Sequence, residues 1–262
     1  MDVEALRRQL AADLERGRHP LMIVGTAGTT GGGTVDPLAA LAEVAAAFKV
    51  WFHVDAAWGG AAALVPRLRP ILDGIDRANS VTWDAHKWLS VPMGAGMFFC
   101  SAPDAVRRAF GVSTTYMPES AGVDTFDPYL TTMQWSRRAI GLKVFMTLAE
   151  LGAAGLADLV EGQAQMGDRL RLHLQNAGWS IVNDTALPLV CFTHPDIRAN
   201  RFTTTTLLRE LYARGKVWIS DVVLGGGERV LRACVTSFRT EERDLACLVE
   251  ELEAVRSMVR RE

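Results

Sequence analysis

The sequence predicts an α/β fold with a mostly parallel sheet, followed by a smaller α+β unit. Three observations predict it. Short β-rich runs alternate with helical periodicity between residues 21 and 100, the pattern of βαβ units. Two of those runs end on a charged residue: Asp55 closes the run 50–54, and Lys87 follows the run 80–83. From Gly178 onward the β-like runs crowd together, as in an antiparallel sheet. The division is placed near residue 145, giving units 1–145 and 146–262.

The elements follow in order. Val3, Leu6, Leu10 and Leu14 recur at helical spacing, and Gly17 and Pro20 end that helix. Residues 21–24 form a short apolar run, a buried strand. The glycine-rich stretch 25–34 comes next; it is neither GxGxxG nor a Walker A loop, since no Lys follows the glycines. Asp36-Pro37 reads as a helix start, an acidic N-cap before Pro at the first helical position. The helix carries Leu38, Leu41, Val44, Ala45 and Phe48, and the next strand ends at Asp55. A short helix or turn over 66–77 leads to the strand before Lys87, and 95–100 is one more strand.

Residues 111–128 lack periodicity and carry Tyr116, which marks a long loop; such loops in compact domains are often lids. A long helical region opens at 134–138, where Arg137 and Arg138 lie, and a further helix runs from Gly155 to about Ala177. The second unit has β-like runs at 179–182, 187–193, 217–220 and 230–235, with helices at 203–214 and 241–259. Arg232 is a charge inside an apolar run, and strand alternation sets it opposite Leu231 and Ala233. By itself that position reads as an outward-facing strand residue.

Composition excludes several function classes. Hydrophobic residues make up 49% and charged residues 22%, as in ordinary globular proteins. A net charge of −2 gives no electrostatic case for nucleic acid or an anionic membrane. The 4 cysteines have no CxxC spacing and the 5 histidines no HxxxH spacing, so no metal site is expected. No apolar run spans a bilayer and no signal peptide opens the chain, so a cytoplasmic protein with reduced thiols is expected.

The chemistry converges on Asp55 and Lys87. A lone lysine is usually a solvated charge, and a lone aspartate after a strand is usually a cap or turn residue. Together, at the carboxyl ends of parallel strands, they face the crevice where α/β folds bind ligands. Pyridoxal 5'-phosphate needs that pair: a lysine for the Schiff base and an acid on the pyridine nitrogen. The carboxylate keeps the nitrogen protonated, which makes the ring a better electron sink. Ala56, Ala57, Gly59 and Gly60 leave room for a flat ring.

HVDAAWGG at 53–60 and SVTWDAHKW at 80–88 resemble the group II pyridoxal-phosphate-dependent amino-acid decarboxylases, the aromatic-L-amino-acid and glutamate decarboxylases. The resemblance implies an aspartate-aminotransferase-type (fold type I) architecture, in part. It implies decarboxylation of a small-molecule substrate, an L-amino acid, through a Lys87 Schiff base, with Asp55 on the ring nitrogen. Thr30 and Ala57 are then cofactor-binding, and His86 and Asp84 hold the phosphate side. Tyr116 becomes the proton donor on a mobile loop, and Arg232 meets the substrate carboxylate through its bidentate fork. One of Arg137 and Arg138 is expected to face the site. Asp84 departs from the asparagine common in the family, so it is expected to point away from the phosphate or to meet a donor. The resemblance also implies a homodimer, and it places the family's N-terminal half outside these residues. The alternatives are another pyridoxal-phosphate reaction, of transaminase or desulfurase type, and an inactive fragment.

Overall fold

The computed structural model describes residues 1–112 and 128–260. Helix α1 (Val3–Glu15) is capped by Asp2, whose carboxylate accepts from the Ala5 N–H at 2.9 Å. Strand β1 (Met22–Thr26), helix α2 (Leu38–Phe48) and strand β2 (Trp51–Asp55) form the first βαβ unit. Short 3₁₀ segments then lead to β3 (Ser80–Asp84), and β4 (Gly96–Cys100) completes the sheet. The strand order is β1-β2-β3-β4, with β1, β2 and β3 parallel and β4 antiparallel at the edge. The register sets Thr26, Asp55 and Thr82 side by side at the carboxyl edge.

Alternation gives the sheet two unlike faces. Ile23, Phe52 and Val54 point toward α2 and are buried. A side chain at Gly25 would come within 3.0 Å of Leu38 and Leu41, so glycine lets α2 lie close on β1. On the other face Met22, Val24 and Phe98 are exposed. Parallel sheets are normally covered on both sides, so this face is open among the described residues.

Asp36 does not cap α2. The helix starts at Leu38 after Pro37, without a side-chain cap. The Asp36 carboxylate instead accepts from the Thr26 N–H at 2.9 Å and pairs with the Met1 amino group. The cause is the bridge between Ala27 and Val35, which draws residue 36 into the end of the ladder, with its N–H on Thr26 O at 2.8 Å.

Helix α3 (Pro103–Phe110) was not expected from the sequence. The long helix α4 (Gly141–Asn176) begins seven residues beyond the expected Gln134 start, and residues 134–140 are not helical. It breaks at Gly152, where φ is +63°, rather than at Gly155. Leu156, Val160 and Ala164 pack into the first core, while Leu170 and Leu174 belong to the second.

The second sheet holds β5 (Ser180–Ile181), β6 (Leu189–Thr193), β7 (Ser220–Val223) and β8 (Arg229–Cys234), all antiparallel in the order β5-β6-β8-β7. Between them lie α5 (Pro195–Arg198) and α6 (Thr204–Arg214), with α7 (Glu242–Val259) at the end. Val190, Phe192, Leu231 and Ala233 face a core built with Leu207, Leu211, Leu252 and Val255. Strand β7 starts where the sequence reading ended it. The preceding residues are committed to the helices: Lys216 Nζ bonds Glu251 at 2.7 Å and Ile219 O accepts from the Tyr212 hydroxyl. No helix among the described residues is long and apolar enough to cross a membrane.

Candidate active site

The site is assembled at the carboxyl edge of β2 and β3. Asp55 Oδ1 accepts from the Ala57 N–H at 3.1 Å, which fixes the carboxylate as the chain leaves β2. The turn is laced to β3: Ala56 N–H bonds Thr82 O at 2.9 Å and Asp84 N–H bonds Ala57 O at 3.2 Å. His53, on the same face, is held by Ser80 Oγ at 2.8 Å and Thr82 Oγ1 at 3.3 Å, and its ring stacks on Phe98.

Lys87 sits in a tight turn after β3. Its N–H bonds Asp84 O at 3.1 Å, and the Ser90 N–H bonds Lys87 O at 3.1 Å. Its ammonium lies 3.0 Å from Asp84 Oδ2, and His86 Nε2 is 3.9 Å from the same oxygen. The Asp84 carboxylate has thus met a donor, the lysine itself. His86 Nδ1 is buried without a hydrogen-bond partner among the described residues. Lys87 and His86 line a cleft of about 430 Å³ together with Trp58, Met93, Cys234, Ser237 and Phe238. The site therefore joins both sheets.

Arg232 and Thr30 come together as well. Arg232 Nε donates to Thr30 O at 3.0 Å and to Gly31 O at 3.3 Å. Asn183 Nδ2 reaches Gly32 O at 2.9 Å and Thr185 Oγ1 reaches Gly33 O at 2.8 Å. Four successive carbonyls of the glycine-rich loop are thus held by the second unit. Arg232 does lie opposite Leu231 and Ala233, on the sheet face that receives this loop.

Tyr116 lies outside the described residues. Arg137 and Arg138 are both exposed, and neither lines the Lys87 cleft. Cys234 borders the cleft, but burial pushes its thiol above the ordinary range; burial likewise pushes Cys191 up to about 11. A thiol held protonated is a poor nucleophile, so neither cysteine suits nucleophilic chemistry.

Sequence reasoning did not single out Trp58, Ser90, Gln163 or the segment 236–238. Trp58 was inside the quoted HVDAAWGG motif, and it stacks on Trp88 of the HKW motif with ring centres 6.1 Å apart. Ser237 and Phe238 carried no signal, because they reach the cleft only through contacts distant in sequence, such as the Gln163 amide on Thr236 O.

Comparison with known proteins places these features in context. The model of the family described as the pyridoxal-dependent decarboxylase conserved domain matches residues 1–194. The chain is 31% identical to 4-hydroxyphenylacetaldehyde synthase of Rhodiola rosea, over 91% of this chain and 49% of that protein. It is 30% identical to tyrosine decarboxylase 1 of Narcissus pseudonarcissus, over 94% of this chain and 50% of that protein. The crystal structure of Oryza sativa TDC with PLP and tryptamine superposes with a TM-score of 0.91 at 28% identity, over 99% of this chain and 55% of that one. The chain spans about half the length of the curated relatives it matches.

Proposed function

The chain belongs to the pyridoxal-dependent decarboxylase family, and from that premise we propose that it uses pyridoxal 5'-phosphate, held by Lys87, to remove the carboxyl group of an L-amino acid. The observation that carries this reading is the placement of Lys87 in a turn at the end of β3, opening on a cleft, with Asp55 at the end of the neighbouring parallel strand β2.

The residues present fit that cofactor. His86 Nδ1 is a buried polar atom without a partner among the described residues, and Ala56 and Ala57 leave the strand edge free of bulk. When bound, the cofactor's protonated pyridine ring withdraws electrons from the substrate α-carbon. Asp55, fixed by the Ala57 N–H, holds the proton on the ring nitrogen by opposite charge. Lys87 supplies the anchoring amine, and it must first leave Asp84. Thr30 and Ala57 would hold the ring, and His86 and Asp84 would hold the phosphate side. Arg232, on β8 and bonded to the loop that carries Thr30, orients the substrate carboxylate. Tyr116 returns the proton to the α-carbon.

The open face of the first sheet supports assembly into a two-fold homodimer, since bare apolar surface promotes association and C2 symmetry is the commonest arrangement. A cytoplasmic location is part of the same reading.

The test is product analysis. The chain, alone and within a longer polypeptide of the relatives' length, is given pyridoxal phosphate and a panel of L-amino acids that begins with tyrosine and tryptophan. Amine and carbon dioxide in equal amounts are the expected products. A keto acid would replace decarboxylation by transamination, an aldehyde by oxidative chemistry, and no product from either polypeptide would leave a non-catalytic fold.

A further inference from the structure

Gln163 lies on α4 and is only 2% exposed. Its amide nitrogen donates to Ser90 Oγ at 3.0 Å and to Thr236 O at 2.7 Å. The amide orientation follows from chemistry: a backbone carbonyl only accepts, so the nitrogen must face Thr236. Both amide hydrogens are then used, and Oε1 is buried without a partner among the described residues.

The two segments joined by this amide both line the Lys87 cleft. Ser90 closes the Lys87 turn, with its N–H on Lys87 O at 3.1 Å. Thr236 follows β8 and stands beside Ser237 and Phe238, and all of these residues line the cleft. Ser90 has φ +58°, a left-handed conformation that a non-glycine residue keeps only when its surroundings over-determine it. A buried amide with one end unsatisfied is a poor choice for packing alone, because an apolar side chain of that size would fill the space without a desolvated oxygen. The site makes use of the two donors.

We propose that Gln163 is a positioning residue, which fixes the spacing between the Lys87 turn and the 236–238 segment and so sets the width of the cleft. Its effect on cofactor binding rests on the reading of Lys87 given above; its effect on the two segments does not.

The experiment is hydrogen exchange on the full chain without cofactor, comparing the wild type with Gln163→Met. Methionine keeps the buried volume and removes both donors. Amides in 88–91 and 235–239 are expected to exchange at least about tenfold faster, while β6 and α7 stay at wild-type rates; protection spans such a range when local opening changes. Unchanged rates in both segments, or a uniform rise over the whole chain, would overturn the proposal. Ser90→Ala removes one acceptor without touching α4, so it serves where Gln163→Met does not fold. It should loosen 88–91 and leave 235–239 unchanged, and wild-type rates at 88–91 would again overturn the proposal. Titration with pyridoxal phosphate is the second readout, with about tenfold weaker binding expected for Gln163→Met. If the wild type binds no cofactor, the functional reading fails while the exchange data still decide the role of Gln163.

Discussion

Asp84 Oδ2 lies 3.0 Å from Lys87 Nζ, three residues along one turn, so the amine at the heart of the site is engaged by its own neighbour. The pair is partly exposed, with 37% of the lysine side chain and 18% of the aspartate accessible. Ion pairs of this exposure contribute about 0.2–1 kcal/mol. Asp84→Asn should therefore tighten cofactor binding by up to about fivefold, both by freeing Lys87 and by removing a negative charge near the phosphate. Absorbance titration measures it. Weaker binding in the variant would mean that the carboxylate orients the lysine rather than competing for it.

Arg232 is predicted to hold the glycine-rich loop as well as any substrate. Arg232→Ala removes the donor to Thr30 O and Gly31 O. A lost hydrogen bond of this kind costs about 1 kcal/mol. Urea denaturation should show that loss, and residues 29–33 should become more sensitive to protease. A variant as stable as the wild type would leave the tether without energetic weight.

Glu251 sets a pH dependence. It is buried on α7, and its carboxyl is held down to about 2 by the Arg214 guanidinium and then by Lys216, against the opposing effect of burial. The folded value lies below the unfolded one, so the stabilisation is complete above the ordinary glutamate range near 4.5 and is lost as pH falls toward about 2. Glu251→Gln should lower the melting temperature by several degrees at pH 7, and the gap to wild type should close toward pH 2. A gap that stays constant across that window would contradict the assignment.

The open sheet face predicts association. Size-exclusion chromatography with light scattering should give a mass above that of one chain, and charge at the exposed face, as in Val24→Lys, should shift the population toward monomer. A wild-type chain that stays monomeric at high concentration would show that the exposed Met22, Val24 and Phe98 drive no contact.

Much of this architecture was legible because it is local. The βαβ unit ending at Asp55 follows from alternation and helical spacing, and the turn bearing Lys87 directly follows a β-rich run. The family resemblance rested on the same two stretches. The failures involve contacts distant in sequence. Asp36-Pro37 has the form of a helix start, but the Ala27–Val35 bridge recruits the aspartate into the sheet. The 217–220 run has strand composition, but Lys216 and Ile219 are tied to α7 and α6. Helical periodicity continues through Gly152, and only its positive φ reveals the break. The bonding of Arg232 to Thr30, 202 residues away, had no sequence signal at all, nor did the span of Gln163 between Ser90 and Thr236.

The central claim is that Lys87 carries the cofactor, and covalent trapping tests it most directly. The chain is incubated with pyridoxal phosphate, reduced with borohydride, digested and examined by mass spectrometry. The pyridoxyl mass should appear on the peptide containing Lys87 and should vanish in Lys87→Ala, with the fold retained by circular dichroism. A pyridoxyl adduct on another lysine, or an undiminished adduct on the Lys87→Ala protein, would contradict the account.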